Sequence, residues 1–168
     1  MPDTNVDFHK ARPGGDADRI ARLARVIWVD HYTPIIGADQ VDYMLATLHS
    51  PDAIAREIAS GAFNYYIVSD GEADLGYLSY KLEDKELFLS KIYLLPSARG
   101  RGLGKAALAF LRSRATEKGL RSIRLTVNKM NSGTIRAYEA IGFTTTRAVK
   151  ADIGNGYFMD DFIMEWRF

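Results

Sequence analysis

A glycine-rich, cationic loop is the first stretch of the sequence that could do chemistry. Residues 96–105 read PSARGRGLGK, with glycines at every second position between two arginines and a lysine. Glycines let backbone N–H groups approach a ligand closely, and the start of a helix adds a partial positive charge. Arginine and lysine side chains pair with phosphate oxygens. The loop therefore predicts a pyrophosphate site, although a tight strand-to-helix turn with a solvated basic rim would leave the same pattern.

The glycine spacing argues against one phosphate-binding motif and weakly supports another. A Walker A loop requires Ser or Thr after its Gly-Lys pair, whereas Gly104 and Lys105 are followed by Ala106. Residues 102–107 match G-x-G-x-x-A, the fingerprint of dinucleotide-binding folds. The acidic ribose ligand expected about twenty residues later is missing, because residues 125–128 contain no carboxylate. Both motifs bind phosphate through backbone amides and positive charge at the start of a helix. The loop keeps these two features although it matches neither motif fully.

Hydrophobic periodicity predicts the elements that position this loop. Helical patterns occupy 19–32, a segment from about Asp39 to Leu48, 51–60 after a capping Ser50, 102–118 and 132–141. Strand patterns occupy 6–10, three runs within 64–96, 121–128, 143–152 and 157–168. The three runs form an antiparallel meander, and the 102–118 crossover makes the strands on either side of it parallel. We predict an α/β (α+β) fold on a mixed, largely antiparallel sheet.

Length and composition limit the possible functions. The chain has 168 residues, 47% hydrophobic residues, a net charge of +1 and no cysteine. These values predict one domain over 1–168, with no global field that would attract nucleic acid or a membrane. The absence of cysteine is compatible with a reducing cytoplasm, and we expect neither a signal peptide nor a membrane span.

Two signatures in order carry a resemblance to a known family. Arg99-x-x-Gly102-x-Gly104 resembles the pyrophosphate loop of the Gcn5-related N-acetyltransferases (GNAT), and VNKMNSGTIRAYEAIGF at 127–143 resembles that family's second signature. The resemblance implies a single GNAT domain whose mixed, mostly antiparallel sheet is splayed between the fourth and fifth strands and flanked by helices. Acetyl-CoA would be the cosubstrate, bound where those strands part, and no metal is implied.

The resemblance also implies the residues that hold acetyl-CoA. The pantetheine would follow the first of the two strands at Ile92, Tyr93 and Leu94. The pyrophosphate would be held by the loop residues Arg99, Gly100, Arg101, Gly102, Leu103, Gly104 and Lys105. Asn131 matches the asparagine beside the cofactor, and Tyr138 matches the tyrosine near the thioester sulfur.

Direct acetyl transfer needs a polarised carbonyl, a proton donor for the thiolate and a neutral amine. A backbone N–H of Tyr93 or Leu94 could polarise the carbonyl, and Tyr138 would protonate the leaving group. Periodicity alone would place Tyr138 in the core, between Ile135 and Ile141, and helix capping alone would explain Asn131.

The base is harder to find, because the 86–96 strand has no carboxylate after Glu86. In YFMDDFIMEW, strict alternation places Asp160 on the face of Phe158 and Phe162, where an unpaired carboxylate would be costly. Asp160 is therefore a candidate base. A salt bridge to an arginine, a bulge that turns both aspartates outward, and a relay through water all remain open.

A closer resemblance predicts the acceptor. WVDHYTPIIGADQVDYML and DIGNGYFMDDFIMEW resemble segments of the bacterial spermidine/spermine acetyltransferases of the PaiA type. A polyamine such as spermidine or spermine should enter a cleft of carboxylates and aromatic rings, for which the candidates are Tyr32, Glu83, Asp160 and Asp161. The alternatives are an acetyltransferase for protein or peptide amines and an acyl-CoA-binding sensor without turnover. Free sheet edges could support a homodimer.

Overall fold

A computed structural model describes residues 5–168, whose contacts divide into two compact units. The first unit extends to Lys81 and includes Lys91–Phe110, and the second comprises Leu82–Ser90 and Leu111–Phe168. Strand β4 (Leu87–Leu94) and helix α4 (Leu103–Glu117) each pass from one unit into the other. None of the helices within residues 5–168 combines the length and the apolar character needed to cross a bilayer.

Three helices and three strands precede β4 in the first unit. Their bounds are β1 Asp7–Lys10, α1 Asp16–Ile36, α2 Ala38–Thr47, α3 Pro51–Ser60, β2 Asn64–Ser69 and β3 Asp74–Leu82. Helix α1 buries the apolar stripe Ile20, Leu23 and Ile27 and packs against α2 and α3. Strand β2 pairs antiparallel with β1 and with β3, and the β2–β3 pairing confirms this part of the predicted meander.

The ends of the first three helices follow local chemistry. The Ser50 side chain accepts a hydrogen bond from Ala53 N at 3.1 Å, which confirms the predicted cap of α3. Helix α1 is longer than predicted, because it includes Pro34 and ends only at Gly37. Gly37 has a φ of 88°, and its N–H bonds to Thr33 O at 3.0 Å.

Gly76 on β3 allows a close backbone approach within the first unit. A Cβ at this position would lie 2.2 Å from Tyr93 O and 3.1 Å from Leu94 Cα. Leu95 N donates to Leu75 O at 2.8 Å beside it. Only glycine fits here without displacing the end of β4.

The second unit contains β5 Ser122–Asn128, α5 Ser132–Ile141, β6 Thr144–Gly154 and β7 Tyr157–Arg167. Strand β5 pairs in parallel with β4 at Leu87–Leu89 and antiparallel with β7, which pairs antiparallel with β6. Asn155 and Gly156 have φ values of 53° and 80° and form the tight β6–β7 turn. The predicted fold class, with a mixed, mostly antiparallel set of strands, one parallel pair and flanking helices, is confirmed.

Candidate functional site

The glycine loop before α4 leaves backbone amides available to a ligand. Gly100 and Gly102 have φ values of 76° and 77°, a left-handed conformation that other residues rarely adopt. The helical ladder begins with Ala106 N donating to Gly102 O at 3.1 Å, so the amides of residues 103–105 have no acceptor inside the helix. A Cβ on any of the three loop glycines would meet no described atom within 4 Å. The loop therefore has the open, donor-rich surface that a pyrophosphate requires.

Two arginines of this loop are held at its rim by weak contacts. Arg99 Nη1 lies 3.4 Å from Asp30 Oδ2, and Arg101 Nη2 lies 3.5 Å from Asp70 Oδ2. Both arginine side chains are about 40% exposed, and exposed pairs of this kind contribute at most about 1 kcal/mol. An incoming phosphate could therefore compete successfully for either guanidinium.

An aromatic cluster surrounds Tyr93 at the end of β4. Its ring centroid lies 5.4 Å from that of Trp28, 6.2 Å from that of Tyr32 and 5.5 Å from that of Tyr77. Tyr32 stacks on Trp28 at 4.2 Å. The structure thus brings Tyr32, which was predicted to bind the acceptor amine, next to Tyr93, which was predicted to contact the cofactor. Ile92 and Leu94, the other two predicted strand contacts, are half-buried.

Buried polar groups lie within this cluster, and the sequence reading did not single them out. His49 is 5% exposed, and burial, reinforced by the charge of Lys91, lowers its pKa to about 3. Among the described residues, His49 Nδ1, Trp28 Nε1 and Tyr77 Oη have no hydrogen-bond partner. The imidazole is therefore neutral at physiological pH and packs as a polar ring in an aromatic environment.

Lys91 on β4 is a largely buried cation, with its side chain 10% exposed, and it was not predicted from the sequence. Its Nζ lies 3.6 Å from Glu57 Oε2 and 6.0 and 5.6 Å from the ring centroids of Phe63 and Tyr65. Tyr65 Oη donates a hydrogen bond to the same carboxylate. Burial lowers the pKa of Lys91, and the Glu57 carboxylate opposes that shift. The only signal in the sequence is a lysine that follows Leu87 and Leu89 at alternate positions.

In the second unit, the two signature residues of α5 are not explained by packing alone. Asn131 is 5% exposed and occupies the N-cap position, but its side chain makes no capping hydrogen bond to the described helix. Tyr138 is half-buried, with its ring 5.2 Å from that of Phe143, and none of the α5 side chains is fully buried. Capping therefore does not account for Asn131, and Tyr138 is not a core residue.

The two aspartates of β7 have the opposite exposure to the one that alternation predicted. The prediction that Asp160 faces inward is wrong: its side chain is 50% exposed and lies 2.9 Å from Lys129 Nζ. Asp161 is the buried member, at 6% exposure. Lysines lie over the two rings used for the prediction: Lys129 Nζ is 5.6 Å from the Phe162 ring centroid, and Lys150 Nζ is 4.8 Å from that of Phe158. Phe158 and Phe162 therefore do not indicate burial at the end of the strand where Asp160 lies.

Asp161 lies opposite the loop that carries Asn131. It pairs with Asn128 across β5 and β7, and Asn131 N donates to Asn128 O at 3.0 Å. Burial raises the pKa of Asp161 to about 6, the Asp160 charge adds to this, and Lys129 opposes it. A carboxylate with such a pKa can accept a proton near neutral pH.

Glu83, which was also predicted to bind the acceptor amine, belongs to an ion-pair network. Its Oε2 lies 3.0 Å from an Arg124 guanidinium nitrogen, and Glu86 Oε1 lies 2.7 Å from Arg124 Nε. Asn128 lies four residues after Arg124 on β5, which is about 13 Å at the usual rise. Glu83 thus lies toward the opposite end of β5 from Asp161. Its ion pair with Arg124 accounts for this carboxylate without any acceptor amine.

Comparison with known proteins identifies a family and two relatives that match most of this chain. The profile of the Acetyltransferase (GNAT) family matches residues 27–143. Spermidine N(1)-acetyltransferase of Thermoplasma acidophilum is 26% identical over 157 residues, which cover 91% of this chain and 92% of that protein. Aminoglycoside N(6')-acetyltransferase type 1 of Salmonella typhimurium is 24% identical over 132 residues, 76% of this chain and 84% of the other.

A solved structure shows the same fold. The PaiA N-acetyltransferase of Thermoplasma acidophilum, crystallised in complex with coenzyme A, superposes with a TM-score of 0.82 at 21% sequence identity. The match covers 97% of this chain and 99% of that one.

Replacing Asp161 by asparagine should stabilise the protein at alkaline pH. Because the folded-state pKa of about 6 exceeds the ordinary 3.8, the stability of the wild type decreases as pH rises through this range. The variant escapes this loss, so its unfolding free energy should exceed that of the wild type by up to about 3 kcal/mol at pH 8. The difference should shrink as the pH is lowered toward 4.5. Urea unfolding at several pH values measures it, with exposed Asp84→Asn as the control; a difference independent of pH would contradict a buried, ionising Asp161.

Proposed function

Because the chain belongs to the acetyltransferase (GNAT) family, we propose that it transfers the acetyl group of acetyl-CoA to a primary amine, preferably of a polyamine. The open, donor-rich start of α4 carries the proposal, since it lies inside the family match and fits a pyrophosphate. The whole of 1–168 would act as one acetyltransferase domain.

The cysteine-free composition suits a reducing cytoplasm, and the exposed edge strand β6 offers a surface for a homodimer.

The residues of the first unit would hold the cosubstrate. The amides of residues 103–105 would bind the pyrophosphate, with Arg99, Arg101 and Lys105 adding charge and Gly100 and Gly102 keeping the approach open. Along β4, backbone groups of 92–94 would run beside the pantetheine. Acetyl-CoA supplies the activated thioester, and a strand N–H of Tyr93 or Leu94 would polarise its carbonyl.

The residues of the second unit would manage the protons of a direct attack. Tyr138 would give a proton to the departing thiolate, and Asn131 would help to position the thioester end. We propose Asp161 as the base, because it is buried with a pKa of about 6, whereas the exposed Asp160 is already paired with Lys129. The bond from nitrogen to the acetyl carbon forms as the bond from carbon to sulfur breaks.

A polyamine acceptor is supported by charge and by the relatives. Asp160 adds negative charge next to Asp161, and Tyr32 offers a ring face to an alkylammonium group. The Thermoplasma relative is named for spermidine. The Salmonella relative is named for aminoglycosides, so a second class of polyamine-like cation belongs in the same test.

Purified protein should release free thiol from acetyl-CoA when spermidine is added. The panel includes spermine, an aminoglycoside, lysine-bearing peptides and no acceptor, and free thiol is measured with a chromogenic disulfide. We expect spermidine to give the highest kcat/KM. Preference for peptides would move the function to protein acetylation, and binding of acetyl-CoA with no turnover on any acceptor would favour a sensor.

Tyr138→Phe should lower kcat by about 10²- to 10⁴-fold, because it removes the proton donor and little else. The affinity for acetyl-CoA, measured by calorimetry, should change little. Tyr43→Phe on α2 is the matched control and should retain the wild-type kcat. An unchanged kcat in Tyr138→Phe would remove this residue from the proposed role.

The pH dependence of kcat/KM should distinguish the two aspartates. With Asp161 as the base, the wild-type rate should rise with pH through about 6, where that carboxyl loses its proton. Asp161→Asn should lose this rising limb of the pH profile together with most of the wild-type kcat/KM. Asp160→Asn should keep the limb and move it to lower pH, because the Asp160 charge raises the pKa of Asp161. Loss of the limb in Asp160→Asn alone would transfer the role to Asp160.

A further inference from the structure

A cavity outside the proposed acetyl-transfer residues opens beside the outer face of α1. Its volume is about 230 Å³, and it lies where α1 meets the end of α2 and the start of α3. The lining residues that matter are Asp18, Arg22, Arg25, Leu45, His49 and Pro51. All of them belong to the first unit, and none has a part in the proposed reaction.

Three charged residues form one stripe along the cavity. Asp18, Arg22 and Arg25 follow one another at intervals of four and three residues, so their side chains lie on one face of α1. Within residues 5–168, no side-chain hydrogen bond or ion pair involves any of the three. Arg19 on the same helix, in contrast, is paired with Asp16 at 2.9 Å and with Asp74 at 2.8 Å. The stripe thus has charges for which the described fold supplies no counterpart.

The remaining wall is uncharged. Leu45 is 6% exposed, and Pro51 adds a second apolar surface. His49 is neutral because burial lowers its pKa to about 3, and its ring is held 4.5 Å from that of Trp28. The charge that an occupant meets is therefore set by one carboxylate and two guanidiniums.

We propose that this cavity binds a small zwitterionic amino acid with an aliphatic side chain. Arg22 and Arg25 would take its carboxylate, for which guanidinium groups are suited, and Asp18 would take its ammonium group. The aliphatic side chain would lie against Leu45 and Pro51.

The pattern of charges argues against other ligand classes. A phosphate would meet repulsion from Asp18, and a polyamine would meet repulsion from the two arginines. Asp18, Arg22 and Arg25 are exposed to water, and a neutral apolar molecule would displace that water without replacing its hydrogen bonds. The volume is below that of a typical pocket for a drug-sized ligand and suits a molecule of amino-acid size.

An occupant of the cavity would touch the aromatic cluster from its far side. The His49 ring lies 6.3 Å from that of Tyr93, the strand residue proposed to run beside acetyl-CoA. Because Trp28 packs on His49, binding should also change tryptophan fluorescence. Fluorescence is a readout that does not depend on acetyl transfer, so the cavity can be tested even if the proposed reaction is wrong.

The test is a titration of the full chain with L-leucine, followed by calorimetry and tryptophan fluorescence. We expect saturable binding of one leucine per chain. 4-Methylpentanoate, which is leucine without the ammonium group, and leucine methyl ester, which lacks the carboxylate, should each bind about tenfold or more weakly. These analogues need no variant and so are independent of folding.

Variants assign the binding to the cavity. Arg22→Gln, Arg25→Gln and Asp18→Asn should each weaken leucine binding about tenfold or more, whereas Arg56→Gln, an exposed arginine on α3, should not. Thermal unfolding confirms that each variant is folded. No saturable binding up to about 10 mM leucine, equal binding by the variants and the wild type, or tighter binding of inorganic phosphate or spermidine would overturn the proposal.

Discussion

The unpaired amides at the start of α4 are the feature on which the proposed chemistry most depends. A helix start that lacks acceptors is costly when buried and useful when it faces an anion. The chain keeps it open by burying the residues on both sides of the loop: Ala98 is 0% and Leu103 is 1% exposed, and both pack with Leu75. Between these anchors, Gly100 and Gly102 take left-handed conformations that lift the backbone clear of side chains. Close binding of a pyrophosphate needs such a loop, in which buried residues fix both ends and the glycine backbone between them stays exposed.

Adjacent aspartates on β7 show how environment separates two identical groups. Asp160 is half-exposed and forms an ion pair with Lys129, whereas Asp161 is buried and takes part in none of the ion pairs among residues 5–168. The charge on the exposed residue also makes ionisation of the buried one harder. The exposed carboxylate can therefore pair with a cation, while the buried one changes its protonation near neutral pH.

Local patterns predicted much of this structure, and non-local packing decided the rest. Ser50, the Asn155–Gly156 turn region and the glycine loop before α4 depend on neighbouring residues, so their positions could be read from the sequence. Asp161 could not, because alternation shows which residues share a face but not whether a helix or a pair of lysines covers it. The Lys91–Glu57 pair joins β4 to α3, and nothing in either segment indicates its partner.

A base with a pKa of about 6 is weak beside an alkylamine, whose pKa is about 10.4, and this mismatch constrains the order of events. Asp161 cannot keep a free amine deprotonated, so the neutral amine must come from the small fraction present in solution or form on entering a poorly hydrated site, where the charged form is disfavoured. Once the nitrogen is bonded to the acetyl carbon, it carries a positive charge and becomes far more acidic. A carboxylate with a pKa near 6 can accept that proton readily. The weakness of the base therefore suits removal of the proton after attack, and Tyr138 can give a different proton to the sulfur in the same step.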